Sequence, residues 1–450
     1  MCGGFTAKSG EPTIAFGLGD NRRVNSSTDL PLPQRRRIAH LDMDAFYASV
    51  ELLRYPQLQG EAVVIGGRRR RAGEHDAAQA FERLHQYAGR GVITTATYPA
   101  RALGLHSGMG LMKAAALAPL AYLLPADFDE YRRLSAAFKA AVAVRAPVIE
   151  DRGIDEIYID LSALPGVDLS TPEDPYAGVR AIGHELRERV RAATGLSCSI
   201  GITPNKLLSK LCSDLEKPGG LTLLTPADLP ARIWPLPASR VNGIGPKAYA
   251  RLQALGVHTI GDLAQADRAW LTTHFGPNYG AWLHEAAWGR DERPVVTERE
   301  LKSLSRETTF ERDLHARHDR AELGAILTRL CEQVAADLKR KGLRGRTMGV
   351  KLRFQDFHIV TRDQSLEMPT DDAVAIRRAV GQCLKRVPLE QRLRLLGVRA
   401  SALCGAEAAG PMPADEPSQA ARRANRSRLG AIDSSGHEPG WGQSLPLFTA

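Results

Sequence analysis

At 450 residues, with 43% hydrophobic and 25% charged positions, the chain has the make-up of a soluble globular protein of about three domains. No run approaches the roughly eighteen apolar residues of a membrane span, and no apolar core follows Lys8 as it would in a signal peptide, so the cytoplasm is the expected compartment. The net charge of +9 is uneven: between Arg299 and Arg399 there are 22 Lys/Arg against 14 Asp/Glu, a surplus of +8 that suits a polyanion better than a small acidic metabolite.

Residues 1–36, rich in Gly, Ser, Pro and Arg without periodicity, predict a disordered leader. Arg37–Asp44 reads as a strand, Ala45–Leu53 as a helix, and Ala62–Ile65 as a second strand ending at Gly66-Gly67. An arginine-rich stretch follows at Arg68–Arg90, within which Asp76–Ala88 has helical spacing of Ala77, Ala80, Phe81, Leu84 and Tyr87. Strand character returns over Val92–Tyr98. Helices are expected over Leu111–Leu117 and Phe128–Val144, an acidic hairpin over Ile154–Leu161, a helix over Ala177–Ala193 and a strand over Ser197–Ile202. This order describes an α+β, split βαβ sheet with helices on one face. Short helices with Gly turns run from Thr225 to about Asp291. A second α+β unit then has strands at Ser303–Phe310, Gly349–Phe354 and Arg394–Ala400, and helices at Arg320–Lys341 and Asp371–Arg386. Beyond Leu403, Ala, Pro, Ser and Arg predict a flexible tail. The six cysteines form no Cys-x-x-Cys pair, as expected of reduced thiols.

Two acidic segments stand out: Asp42-Met43-Asp44 and Asp155-Glu156, both set among β-branched and aromatic residues. Carboxylates in such strands need something to offset their desolvation, and a divalent cation does so most effectively. Oxygen-only ligands favour Mg²⁺ or Mn²⁺, and paired metals serve in-line phosphoryl chemistry. Adjacent strand residues point to opposite faces, so Asp155 and Glu156 reach one site only through a bend, which Gly153 would tolerate. Further on, Asn242-Gly243-Ile-Gly245-Pro-Lys247, with Leu252, Leu255-Gly256 and Ile260-Gly-Asp-Leu263, has the layout of a helix-hairpin-helix whose glycines let backbone N–H groups approach a DNA phosphate.

Asp42-Met-Asp-Ala-Phe-Tyr-Ala-Ser-Val-Glu51, Thr97-Tyr98-Pro-Ala-Arg101, Ile154-Asp-Glu-Ile-Tyr-Ile-Asp160 and Asn205-Lys-Leu-Leu-Ser-Lys210 followed by Lys217-Pro-Gly-Gly220 resemble the Y-family translesion DNA polymerases, and most closely the bacterial DNA polymerase IV branch. The similarity runs in order from about Arg37 to Ala402. It implies a right-hand polymerase: a ferredoxin-like palm (37–48 and 119–221), small fingers (49–118, with an insertion at 68–90), a helix-hairpin-helix thumb (222–293) and a little finger (299–402), then a tail over 403–450. It also implies low-fidelity, template-directed addition of dNMP to a primer 3′-hydroxyl. Asp42, Asp155 and Glu156 would hold two Mg²⁺, with Mn²⁺ as a substitute, aided by the Met43 carbonyl. Asp44 and Asp160 are read as structural. Tyr98, Arg101 and Lys217 would grip the triphosphate, and Tyr47 would be the steric gate that excludes a 2′-hydroxyl. Gly243, Gly245 and Lys247 would hold DNA phosphates, and Lys302, Arg306, Lys351 and Arg353 would track the duplex. Gln443, Leu445, Leu447 and Phe448 resemble a sliding-clamp-binding peptide.

Three features depart from the family pattern. Gly153 stands where Ser is common, the 68–90 segment is longer than the usual connection, and the leader has no counterpart. Primer–template DNA, dNTPs and a sliding clamp are the partners implied, for a protein acting as a monomer. The rival readings are a non-catalytic, polymerase-like accessory subunit, against which all three acidic ligands are present, and a nucleotide cyclase, which would have no duplex to hold.

Overall fold

The computed structural model describes residues 36–69 and 81–405. The expected leader up to residue 35, residues 70–80 of the arginine-rich stretch, and the tail beyond 405 with its clamp peptide lie outside the described residues. The chain opens on β1 (Ile38–Met43), turns at Ala45 in the left-handed conformation (φ 46°), and enters α1 (Phe46–Arg54). A three-stranded sheet follows, from β2 (Val63–Arg69), β3 (Ile93–Ala96) and, after α2 (Tyr98–Ala102) and α3 (Leu111–Leu117), β4 (Tyr122–Ala126), in the order β3-β2-β4. Helix α4 (Phe128–Ala143) begins where the Asp127 carboxylate accepts from the Glu130 N–H at 3.2 Å. After it come β5 (Ile149–Asp151), β6 (Glu156–Asp160), α5 (Ala177–Thr194), β7 (Cys198–Thr203), α6 (Lys206–Ser213) and β8 (Leu221–Leu223).

Strand β1 lies at the centre of a five-stranded sheet, β5-β6-β1-β7-β8, antiparallel to both neighbours. Alternation along the strands sorts the side chains by chemistry. Ala39, Leu41, Met43, Ile157, Ile159, Ile200 and Ile202 point to one face and form the main core with Tyr131, Phe138 and Val142 of α4 and Ile182, Leu186 and Val190 of α5. His40 and Asp42 point to the other face, beside α6.

Four short helices make the next segment: α7 (Pro246–Ala254), α8 (Ile260–Gln265), α9 (Arg268–Phe275) and α10 (Pro277–Ala287), around Leu252, Leu263, Leu271 and Leu283. The last unit is β9 (Ser303–Leu314), α11 (Arg320–Arg340), β10 (Leu343–Phe354), β11 (Ile359–Thr370), α12 (Ala373–Leu384) and β12 (Leu393–Gly405). Its sheet order is β11-β10-β12-β9, and Leu304, Met348, Val350, Leu396 and Val398 pack under the two helices. The described cysteines are all free, and among the described residues no helix is long and apolar enough to cross a membrane.

Several expectations change. Residues 81–88 hold one 3-10 turn, Leu84–Gln86, in place of the end of an α-helix; the Arg83 N–H bonds the Gln86 side chain instead of continuing a helical ladder. Strand β2 runs through Gly66-Gly67 to Arg69, with an irregularity after Ile65. Tyr98 opens α2 rather than ending a strand, because Thr97 caps that helix. Strand β4 pairs in parallel with β2, so Tyr122–Ala126 belongs to the small sheet and the expected boundary at 118/119 falls short of it. The boundary at 221/222 likewise cuts β8. Strand β11 had not been expected at all.

The connection from α10 to β9 is pinned to the central sheet. Asn205 Nδ2 donates to the Gly289 carbonyl (2.7 Å) and the Leu207 N–H to Asp291 (2.9 Å). Lys206 Nζ bonds both Glu150 and the Pro294 carbonyl, and Glu150 also accepts the Val296 N–H at 2.9 Å. Glu150 and Lys206 are 2% and 5% exposed, so the two buried charges compensate each other, with Arg152 adding a second contact to Glu150 at 3.3 Å. Burial pushes the Glu150 carboxyl up, but Lys206 and the Val296 N–H outweigh it and hold the group below its ordinary range. The stabilisation is therefore fully present at neutral pH and is lost as pH falls through that depressed pKa. Lys206→Met should cost about 3–5 kcal/mol in chemical denaturation at neutral pH, with the Glu150→Leu/Lys206→Met double variant recovering much of the loss; a single variant as stable as the parent would contradict the assignment.

Candidate active site and nucleic-acid face

The register of β1 assembles the site. Asp42 lies opposite Glu156 on β6 and opposite Ser199 on β7, and His40 lies opposite Tyr158 and Gly201, so these side chains share one face. Asp155 sits in the bend just before β6, where its carbonyl accepts the Met43 N–H at 3.0 Å. The expected bend is thus present, and Lys139 of α4 holds it by donating to the Gly153 carbonyl (2.6 Å) and to Asp151 (2.8 Å). Gly153 is not what permits it: the residue has no positive φ, and a Cβ there would meet Asp155 Oδ1 at an ordinary 3.6 Å.

Burial and neighbouring charges move the three carboxyls in different directions. Burial raises Asp155 to about 6, with the charges of Asp42 and Glu156 adding to it. Burial raises Asp42 as well, opposed by Lys217. Glu156 moves the other way: burial would lift it, but the hydrogen bond from His40 and the Lys210 ammonium hold it at about 2. His40 bonds Glu156 through Nε2 (3.2 Å) and Ser213 Oγ through Nδ1 (2.8 Å), and Lys210 bonds Glu156 directly. Lys217 Nζ reaches Asp42 (2.6 Å) and Asp214 (2.7 Å). A ligand atom each from His40, Asp42 and Glu156 lie within 4.8 Å of one another. That group joins two carboxylates and one imidazole and does not include Asp155; its negative charge, which already draws in Lys210 and Lys217, suits a divalent cation.

Asp44 is 2% exposed and takes hydrogen bonds from Ser199 Oγ (2.7 Å) and the Gly219 N–H (2.8 Å), tying β1 to β7 and to the Lys217 loop. Asp160 accepts from the Ser162 N–H at 2.9 Å, at the far end of β6. Tyr47 stacks on Tyr131 (centroids 4.4 Å apart, planes 23°) and meets Phe128 edge-on. Burial pushes its phenol above the ordinary range, and the Asp155 charge adds to that. The Tyr98 hydroxyl is buried with no hydrogen-bond partner. Burial lifts it to about 12, with Asp44 raising it further and Lys217 and Arg101 opposing. Arg101 is exposed, its guanidinium 5.0 Å from the Tyr98 ring centroid and its Nε bonded to the Ala96 carbonyl (3.0 Å).

At the helix-hairpin-helix, Gly243 has φ 119° and packs under Trp282, where a Cβ would come within 2.5 Å of the ring. Tyr279 Oη donates to the Gly243 carbonyl at 2.8 Å. Gly245 caps α7 with open space around it, and Lys247 is exposed. In the C-terminal sheet, Lys302 is exposed, and Lys351 and Arg353 lie on the face away from the helices. Arg306 does not join them. Its register opposite Val398 turns it to the helix side, where Nε pairs with buried Asp337 of α11 at 2.6 Å.

Sequence reasoning missed His40, Lys139, Ser199 and, as a partner of Glu156, Lys210. The alternation in Ile38-Ala-His-Leu-Asp placed His40 on the face of Asp42, and the four-residue spacing of Lys206 and Lys210 placed both on one side of a helix; these were the available signals.

The impB/mucB/samB family matches residues 41–214, and the C-terminal domain of that family matches residues 301–414. The chain belongs to this family, the Y-family DNA polymerases. The chain is 38% identical to a DNA polymerase IV of Alkalilimnicola ehrlichii, over 82% of this chain and 96% of that protein. It is 37% identical to one of Streptomyces coelicolor (84% and 76%) and 35% identical to one of Caulobacter vibrioides (88% and 90%). Among solved structures, a Y-family DNA polymerase chimera of Dbh and Dpo4 aligns with TM-score 0.67 at 22% identity, covering 81% of this chain and 98% of its own, which shows the same fold. The chain is of the DNA polymerase IV type: a template-directed, low-fidelity translesion polymerase that binds primer–template DNA and dNTPs and depends on metal for nucleotidyl transfer.

Proposed function

We propose that Asp42, Asp155 and Glu156, with the Met43 carbonyl, hold two Mg²⁺ ions, for which Mn²⁺ can substitute, at the end of β1. The observation that carries this reading is the pairing of Asp42 with Glu156 in register on one sheet face, next to the bend that brings in Asp155. When bound, the ions supply activation of the primer 3′-hydroxyl and neutralisation of the triphosphate. The protein's own groups do the rest. His40 and Lys139 orient the hairpin carboxylates, and Asp44 positions the Lys217 loop. Lys217, released from Asp42, grips the triphosphate together with the Tyr98 hydroxyl and Arg101. The buried, partnerless Tyr98 hydroxyl supports this role, since a phosphate oxygen would give it an acceptor. Tyr47, backed by the Tyr131 stack, lies beneath the sugar as the steric gate.

The palm in this reading comprises residues 37–48 and 127–224, the fingers residues 49–126, the thumb 225–293 and the little finger 299–402. Gly243, Gly245 and Lys247 hold the duplex backbone without regard to sequence, and Lys302, Lys351 and Arg353 track it. Arg306 is omitted because its charge is engaged by Asp337. The segment from Gln443 through Leu445, Leu447 and Phe448 binds a sliding clamp, and the protein acts as a cytoplasmic monomer.

Primer extension with purified protein, Mg²⁺ and four dNTPs tests the metal site: Asp155→Ala should lower the rate by at least about a thousandfold (roughly 4 kcal/mol of barrier), and near-normal extension would remove Asp155 from it. Tyr47→Ala should raise the ratio of ribonucleotide to deoxyribonucleotide insertion by about tenfold or more, whereas an unchanged ratio would place the gate elsewhere. Deleting residues 443–450 should abolish stimulation by the clamp and spare unstimulated extension; equal stimulation of the truncated protein would discard the clamp peptide.

A further inference from the structure

The sheet face of the little finger that is turned away from α11 and α12 carries two ion pairs of an unusual kind. Both join strands that are not neighbours. Asp363 of β11 pairs with Arg399 of β12 (2.9 Å), reaching across Gly349 of the intervening β10. Lys351 of β10 pairs with Glu307 of β9 (2.9 Å), reaching across Gly397 of β12. Strands two apart are separated by about 10 Å, so each pair closes only by lying flat along the sheet. The glycines make room for this. A Cβ at Gly349 would fall 1.9 Å from Asp363 Oδ1, and one at Gly397 would fall 2.9 Å from the Glu307 Cβ. Most of the surrounding positions on this face are small hydroxyl residues, including Ser303, Ser305, Thr347 and Ser401.

We propose that Glu307 and Asp363 act as internal stand-ins for DNA phosphates, holding Lys351 and Arg399 flat and charge-balanced until a duplex backbone displaces them, and so setting an upper limit on DNA affinity. This rests on the reading that the open face meets the duplex. A cation that moves from a carboxylate to a phosphate exchanges one anion for another. It releases little condensed counterion, and it leaves a carboxylate beside the phosphate it has lost its cation to. Two of the cations nearest the centre of the face therefore contribute less to affinity than their number suggests, which suits a polymerase that must leave its template after a short stretch of synthesis.

The test is equilibrium binding of a fluorescent primer–template to the full chain, by anisotropy, across a salt series. The Glu307→Gln/Asp363→Asn double variant keeps the shapes and removes the charges. It should bind about threefold tighter or more at low salt, and its log–log salt slope should steepen by about one to two, with longer products per binding event in extension under a DNA trap. The Lys351→Gln/Arg399→Gln variant should bind more weakly than the parent. If the acidic variant matches the parent in affinity and slope while the basic variant weakens, the stand-in role is overturned and the DNA-facing role of the sheet survives. Weaker binding by the acidic variant would also overturn it, since the carboxylates would then be organising the cations for DNA. If the basic variant binds as the parent does, the face itself is not a duplex contact.

Discussion

Concentrated negative charge on one face of a central β-strand is the constraint on which the active site depends. The register that sends Leu41, Ile157 and Ile200 into the core also sends Asp42 and Glu156 to the opposite face. The two are inseparable, because a slip by one residue would exchange the faces and bury the carboxylates under α4 and α5. Much of what surrounds the site responds to that charge. Lys217 and Lys210 reach in from the same side, His40 is wedged between Glu156 and Ser213, and Lys139 approaches the hairpin from the helix layer. Burial raises Asp155 and Asp42 while its own partners lower Glu156, so carboxyls crowded together differ sharply in their readiness to ionise. Such divergent carboxyls cluster at functional sites.

Around this cluster the scaffold uses polar contacts sparingly and in series. Asp44 is one residue past β1, and its carboxylate links Ser199 to the Gly219 N–H and thereby sets the loop that carries Lys217. Thr97 works in the same manner for the small sheet, accepting the Val63 N–H and donating to the Glu61 carbonyl while it caps α2 and presents Tyr98. The Tyr47 ring belongs to an aromatic group with Phe46, Phe128 and Tyr131 that also forms part of the main core. A side chain fixed on one edge by packing presents a rigid surface at the other.

The sequence disclosed most of the fold and the acidic residues because both write themselves into local pattern. β1, α1, α3, α4, α5 and β7 are long or strongly periodic, and carboxylates inside apolar strands are conspicuous. What stayed hidden depends on register or on contacts between distant segments. Arg306 looked like its basic neighbours, and only the pairing with β12 shows that its parity turns it toward Asp337. β11 is an edge strand in which Arg362 and Gln364 interrupt the core-facing Val360 and Leu366, so no alternation announced it. β4 ends in Pro125-Ala126 and is short, and its parallel partner lies some sixty residues earlier. The apolar spacing of Phe81, Leu84 and Tyr87 is real, but a single 3-10 turn beside the small sheet satisfies it.

The connection between thumb and little finger is nominally a leash that begins at Gly289. Because Asn205, Lys206, Leu207 and Glu150 fasten it to the palm as far as Val296, the free portion runs only from there to the start of β9 at Ser303. Fully stretched, that portion spans about 25 Å, against about 50 Å for the whole connection. A tether half as long confines its cargo to about an eighth of the volume. The polymerase thus keeps its C-terminal domain at a high local concentration near the active site through these palm contacts rather than through a shorter chain.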